Sequence, residues 1–215
     1  MSLTLHYHPL SSFCQKTLLG LYELAVPFDK QLVDLGNEVE RAALMKLWPM
    51  GRFPVLHDDE RNVTLPESSV ILAYVEGHYA RGNSLLPREL DRAIDCQARD
   101  RFFDLDVNAA MQKIVTDKLR PEGRRDSFGV ERARDQLETA YGVADDWLRG
   151  GPWATGETFS LADCAAAPAL LYANQVLPFM NARRHLAAYF TRLCTRPSFA
   201  RVREEAKPYW SLFPG

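Results

Sequence analysis

At 215 residues, with 47% hydrophobic and 25% charged, the chain can bury one large core or two small ones, and its composition excludes disordered, collagen-like and coiled-coil proteins. Lys and Arg total 26 against 28 Asp and Glu, a net charge of −2 that leaves no global basic field to hold a nucleic acid. Four cysteines, at 14, 96, 164 and 194, form no close pair, which argues against a zinc site or disulfide framework and for a reducing compartment.

Leu3, Leu5 and Tyr7 alternate with Thr4, His6 and His8, the period-two pattern of a half-buried strand. Pro9 ends it, Ser11 or Ser12 can cap, and Leu18, Leu21 and Tyr22 carry helical spacing through a segment from Phe13 to Leu24. Next come a strand over 28–33, a helix over 38–47, an extended piece over 54–57 after Gly51, a turn at 58–62, a strand over 63–65 and a helix over 68–79. This alternation makes residues 1–80 an α/β unit. The polar stretch Ala80-Arg81-Gly82-Asn83-Ser84 marks a boundary near 80–88. Beyond it strand signals almost vanish, and helices are predicted over 91–116, 130–149, 161–176, 184–194 and 198–206, so residues 88–215 are expected to form an all-helical domain. Residues 1–80 carry six basic and ten acidic side chains and the remainder twenty and eighteen, so neither half is a polyelectrolyte. No basic leader with an apolar run opens the chain, and no stretch approaches the roughly 18 apolar residues of a membrane span. A cytoplasmic location without membrane contact is expected.

Three short segments carry chemistry. Ser11-Ser12-Phe13-Cys14-Gln15-Lys16 lies between the first strand and the first helix. Free N–H groups and the positive end of the helix dipole favour an anion such as a thiolate there, and a hydroxyl adds a directed hydrogen bond. A plain helix cap is the other role open to either serine. Trp48-Pro49-Met50-Gly51-Arg52-Phe53-Pro54-Val55 puts a proline at the start of an apolar strand, where a cis bond would turn the preceding backbone toward an extended peptide. An ordinary trans proline is the alternative. Leu65-Pro66-Glu67-Ser68-Ser69 opens a helix with a carboxylate and a hydroxyl able to receive a ligand's ammonium and carboxylate, or to serve as a solvated cap.

In order and separation these segments resemble the glutathione transferase family. Its thioredoxin-like first domain carries a catalytic serine, tyrosine or cysteine after the first strand, a cis-proline, and Glu-Ser opening the third helix. The likeness continues in Thr158-Phe159-Ser160-Leu161-Ala162-Asp163, similar to the family's buried capping motif, and in Arg196-Pro197-Ser198-Phe199, similar to its penultimate turn. It implies an α/β thioredoxin-like N-terminal domain (1–80) plus an all-α C-terminal helical domain (88–215). It also implies glutathione as co-substrate, a homodimer, and addition of the glutathione thiolate to a small hydrophobic electrophile. Ser11, or Ser12, would activate the sulfur; Phe53, before Pro54, would supply backbone pairing. Arg52 would meet the glycine carboxylate, and Glu67 and Ser68 would hold the γ-glutamyl end. Trp48, Phe53 and Ser12 depart from the family's usual asparagine, valine and proline. The doubled serine also resembles the zeta-like branch, which isomerises maleylacetoacetate, but the cysteine that follows the pair there is Phe13 here. Dehalogenation, peroxide reduction, and a non-catalytic member that binds glutathione or a protein partner are further readings of the same likeness.

Tyr7 and Cys14 are rivals for thiol activation. Tyr7 also suits the core face of a strand, and Cys14, at the second position of a Cys-x-x-Cys whose first is Ser11, permits no dithiol cycle, leaving a monothiol mixed disulfide with glutathione or core packing. Phe103, Val107 and Met111, at i, i+4 and i+8 on one helical face, join Leu10, Phe13 and the tail's Tyr209, Trp210 and Phe213 as candidates for an apolar electrophile site, with core packing as their other role. Asp163, three residues after Ser160, forms a capping box and is assigned to stability. The five histidines show no metal spacing; no metal is expected, and His6 and His8 are expected to face solvent. The arginines of 120–125 read as a solvated loop.

Overall fold

A computed structural model describes residues 3–214 of the chain. The first strand, β1 (Leu3–Tyr7), buries Leu3, Leu5 and Tyr7, as its alternation requires. A parallel neighbour needs a crossover, and α1 (Ser12–Leu24) supplies it before β2 (Asp29–Leu32) returns beside β1 with Leu5 opposite Lys30. α1 stops at Ala25, whose φ of 54° turns its N–H onto the carbonyls of Leu21 and Tyr22. After α2 (Glu38–Leu47), the hairpin β3 (Val55–Asp58) and β4 (Val63–Pro66) completes a sheet of order β2-β1-β3-β4, with β3 antiparallel to both neighbours. α3 (Ser68–Tyr79) crosses α1 closely: a Cβ on Gly20 would overlap the Leu72 methyl groups, so any larger residue there forces Leu72 to shift.

From residue 90 onward the described residues form helices joined by loops, with no strand and one isolated bridge between Trp153 and Gly156. The elements are α4 (Leu90–Phe102), a π-helical turn (Phe103–Asn108), α5 (Ala109–Lys118), α6 (Ser127–Trp147), α7 (Leu161–Val176), α8 (Arg184–Thr195), α9 (Pro197–Ala206) and a 3₁₀ tail (Lys207–Leu212), with short 3₁₀ turns at Glu122–Arg124 and Leu148–Gly150. Where one helix is expected over 91–116, the π turn divides it into two and rephases the faces of the second part. α7 is the central rod, with alanines at 162, 165, 166, 167, 169 and 173 letting α1, α4 and the π turn approach it. α6 begins earlier than its apolar pattern suggests because the Asp126 carboxylate accepts from Gly129 N at 2.8 Å.

One continuous core joins sheet and helices across α1 and α7. Polar links reinforce it. Gln15 Nε2 donates to Pro9 O and to Tyr172 Oη, both at 2.8 Å. Lys16, fully buried, places Nζ 2.6 Å from Asp100 Oδ1, 2.7 Å from Asp104 Oδ2 and 2.8 Å from Ser69 Oγ, tying α1, α3, α4 and the π turn together. A charge without water persists only with partners of this kind. No helix among the described residues is long and apolar enough to cross a membrane.

Candidate active site

Sheet register brings the three sequence segments to one edge. Val55 pairs with His6 on one side and Pro66 on the other, so the end of β1, the start of β3 and the end of β4 lie side by side. Ser11 and Phe13 therefore face Arg52, Phe53 and Pro54, with Glu67 and Ser68 beyond, around a cavity of about 260 Å³. Leu35, Trp48, Pro66 and Gln112 complete its lining. The Phe53–Pro54 bond is cis.

Ser11 is the N-cap of α1: its backbone is extended (φ −73°, ψ 121°), and its Oγ accepts from Cys14 N at 3.3 Å. The residue is half-buried; its hydroxyl also touches the Cys14 thiol, a weak acceptor, and it lines the cavity beside the N–H groups of the first helical turn. Ser12, by contrast, is buried and does not line the cavity. Across the cavity, Glu67 adopts φ 71°, a left-handed conformation that costs a non-glycine residue about 1–3 kcal/mol and that gathers at functional sites. Its side chain caps nothing, which leaves the first N–H groups of α3 open to an anion and the carboxylate open to a cation. The half-exposed Arg101 guanidinium, ion-paired with Asp100 and Asp104, adds positive charge near Glu67.

Two family models cover most of the chain: glutathione S-transferase N-terminal domain over residues 5–84 and glutathione S-transferase C-terminal domain over residues 107–197. The chain belongs to the glutathione S-transferase family. Among curated glutathione S-transferases, DHAR3, chloroplastic, of Arabidopsis thaliana is 29% identical over 91% of this chain and 69% of its own length, and GstB of Escherichia coli K12 is 24% identical over 89% and 93%. A crystal structure of a glutathione S-transferase from Methylobacillus flagellatus KT with glutathione bound superposes with a TM-score of 0.85 at 27% identity, covering 93% of this chain and 98% of that one. The α/β thioredoxin-like unit followed by helices is this family's architecture, and the chain is a glutathione transferase by family.

Within that architecture several expectations change. Phe103, Val107 and Met111 are 1%, 0% and 3% exposed: they pack inside the helical unit rather than at the cavity, because the π turn and α5 turn that apolar face into the core. Leu10 is half-buried and also absent from the lining; Phe13 alone of the apolar electrophile candidates lines the cavity. Tyr7 sits in the core, where burial and Glu205 push its phenol up. Cys14 is fully enclosed, and burial pushes its thiol up to about 12 despite the Ser11 contact. Neither group is placed to ionise a ligand's thiol. His6 and His8 are half-buried rather than solvent-facing, and burial holds both below 6.5. His8 accepts from Leu10 N at 3.2 Å, stacks on Phe53 at 6.0 Å and meets Tyr209 edge-on at 5.5 Å, linking the tail to the cavity rim. Trp210 instead stacks on Tyr172, and Phe213 packs tilted against the same ring. No group of three or more His, Cys, Asp or Glu among the described residues is placed to hold a metal.

Gln112 and the buried Lys16 cluster escaped sequence reasoning. Lys16 meets partners 84 and 88 positions away, for which no local spacing exists as a signal. Gln112 lies next to Met111, and the apolar period drew attention to the wrong side of the same helix.

Proposed function

We propose that this transferase binds glutathione in the Ser11 cavity, with the sulfur at the Ser11 hydroxyl, the cysteinyl backbone along Phe53 and Pro54, the γ-glutamyl end at Glu67 and Ser68, and the glycine carboxylate near Arg52. The observation that carries this reading is Ser11 itself: a cap that accepts one long backbone contact and otherwise meets only the weakly accepting Cys14 thiol, at the cavity end of a helix. A hydroxyl and open N–H groups stabilise a thiolate more than a thiol, which is the differential binding that catalysis needs. A thiol with a pKa of about 8.5 is only about 3% ionised at pH 7, and lowering it by about two units raises that to about three quarters. Because a less basic thiolate is also a weaker nucleophile, with a Brønsted slope of about 0.4–0.5, positioning of the electrophile must supply the rest.

The division of labour proposed is residues 1–80 for glutathione and 88–215 for the electrophile side. A cytoplasmic homodimer acting in detoxification fits the composition and the family. Dichloromethane dehalogenase of Methylorubrum extorquens is 26% identical over 94% of this chain, so halide displacement belongs among the reactions to assay. A mixed-disulfide cycle through Cys14 has no support, because that thiol is enclosed and un-ionised. Retention on immobilised glutathione together with glutathione-dependent turnover of a chloronitrobenzene tests the proposal. Retention without turnover would leave a binding member of the fold, and neither would leave an interaction module.

A further inference from the structure

His8 stands where three parts of the cavity's frame meet, and the proposed thiol activation does not use it. Its ring Nδ1 accepts from Leu10 N at 3.2 Å and its carbonyl oxygen accepts from Ser11 N at 3.0 Å, so one residue braces the turn that presents Ser11. The same ring stacks on Phe53, which lines the cavity, with centroids 6.0 Å and planes 17° apart, and Tyr209 of the tail meets it edge-on at 5.5 Å. The turn that carries the hydroxyl, the residue before the cis-proline and the C-terminal tail are thus joined by one half-buried imidazole.

An acceptor at Nδ1 puts the ring's single proton on Nε2, the neutral tautomer. A second proton would set an N–H against the Leu10 N–H and charge a ring that is partly withdrawn from water. The titratable groups facing the ring are Asp34, in the loop between β2 and α2, and the Tyr209 phenol; the third neighbour, Phe53, carries no charge. Asp34 attracts a charged ring at the expense of the Leu10 contact.

We propose that His8 is a positioning residue for glutathione: its neutral imidazole holds the Ser11 turn against Phe53, and its protonation loosens that frame and weakens glutathione binding. This rests on the glutathione reading above. S-methylglutathione carries no thiol, and its carboxylates and ammonium keep their charges between about pH 5.0 and 7.5, so its binding reports the protein's own titration. With the full-length protein, its dissociation constant, read by calorimetry, is expected to rise about fivefold from about pH 7.5 to 5.0. A strict requirement for a neutral imidazole with an ordinary pKa of about 6.5 sets the ceiling at about thirtyfold, which the burial of His8 reduces. At about pH 6 the native protein is expected to release part of a proton on binding, seen as a dependence of the heat on the buffer's ionisation enthalpy. His8→Phe keeps a ring between Phe53 and Tyr209 but can neither accept from Leu10 nor take a proton, and in it the rise with acid is expected to vanish. His6→Gln, which removes the other half-buried histidine of the strand, is expected to keep the rise. A native dissociation constant equal within about twofold at the two pH values, binding without proton release, or a rise that survives in His8→Phe or disappears in His6→Gln would each overturn the role of His8 while leaving the glutathione reading standing. Failure of the native protein to bind S-methylglutathione at about pH 7.5 would overturn that reading, and this inference with it.

Discussion

Among the described helices two have a serine as N-cap, Ser11 at α1 and Ser160 at α7, and the two differ in what their hydrogen-bonding capacity is used for. Ser160 is buried, donates from Oγ to Asp163 Oδ2 at 3.0 Å, accepts from Thr155 Oγ1 at 3.2 Å, and sends its N–H to the same Asp163 oxygen at 2.8 Å. Asp163 takes two more donors, Ala154 N at 2.8 Å and Tyr189 Oη at 2.7 Å. Burial pushes that carboxyl up and the surrounding donors pull it back. Ser11 has one 3.3 Å backbone contact, the weakly accepting Cys14 thiol beside it and a cavity in front of it. A satisfied cap anchors a core helix, whereas a cap with unused capacity at an opening is able to act on a ligand.

The largest effect is expected at the satisfied cap. Asp163→Ala strands buried donors that cost about 1–3 kcal/mol each, so a loss of about 4 kcal/mol, or a drop in Tm on the order of 10 °C, is expected in thermal unfolding. A Tm within about 2 °C of native would break the comparison from that side. Gly20→Ala probes the seating of α1 at the far end from Ser11: its new methyl meets Leu72, and a loss of about 1–3 kcal/mol is expected from urea midpoints. Ser160→Ala and Ser11→Ala sharpen the contrast. Each is expected to cost about 1 kcal/mol of stability, but only Ser11→Ala is expected to lower glutathione-dependent kcat/KM, by about tenfold or more. Cys14, with its thiol near 12, is expected to resist iodoacetamide at pH 8 in the native protein and to react once the chain is unfolded. Native alkylation of Cys14 with loss of activity, read by peptide mapping, would move thiol activation away from Ser11.

The smallest effect concerns pH. His6 and His8 are held below 6.5 in the fold, so the unfolded chain takes up protons first as pH falls. Their contribution to stability is full above 6.5 and is lost as pH drops through the window below it. Urea midpoints at about pH 7.5 and 5.5 should differ less in His8→Phe than in the native protein.

Much of this contrast was legible in the chain. The helices over 38–47, 68–79 and 161–176 stand where their caps and apolar spacing place them, and both serine caps announce themselves by position. Sequence could not say which cap is saturated, since Ala154 and Tyr189 reach Asp163 from other segments. Nor could it show the π turn, because Phe103, Val107 and Met111 satisfy helical spacing whether the helix is regular or widened. The left-handed Glu67 carries no mark in its residue type, and the 3₁₀ tail depends on Trp210 and Phe213 finding Tyr172 across the core.

The central claim is that the Ser11 hydroxyl makes a bound sulfur anion more stable than it is in water. Ultraviolet titration of thiolate absorbance, with glutathione bound to the native protein and to Ser11→Ala, reads this directly. Expected is an apparent pKa about two units below the free thiol's value of about 8.5 in the native protein, and a return toward 8.5 in Ser11→Ala with retention on immobilised glutathione preserved. Superimposable titrations from the two proteins would contradict it.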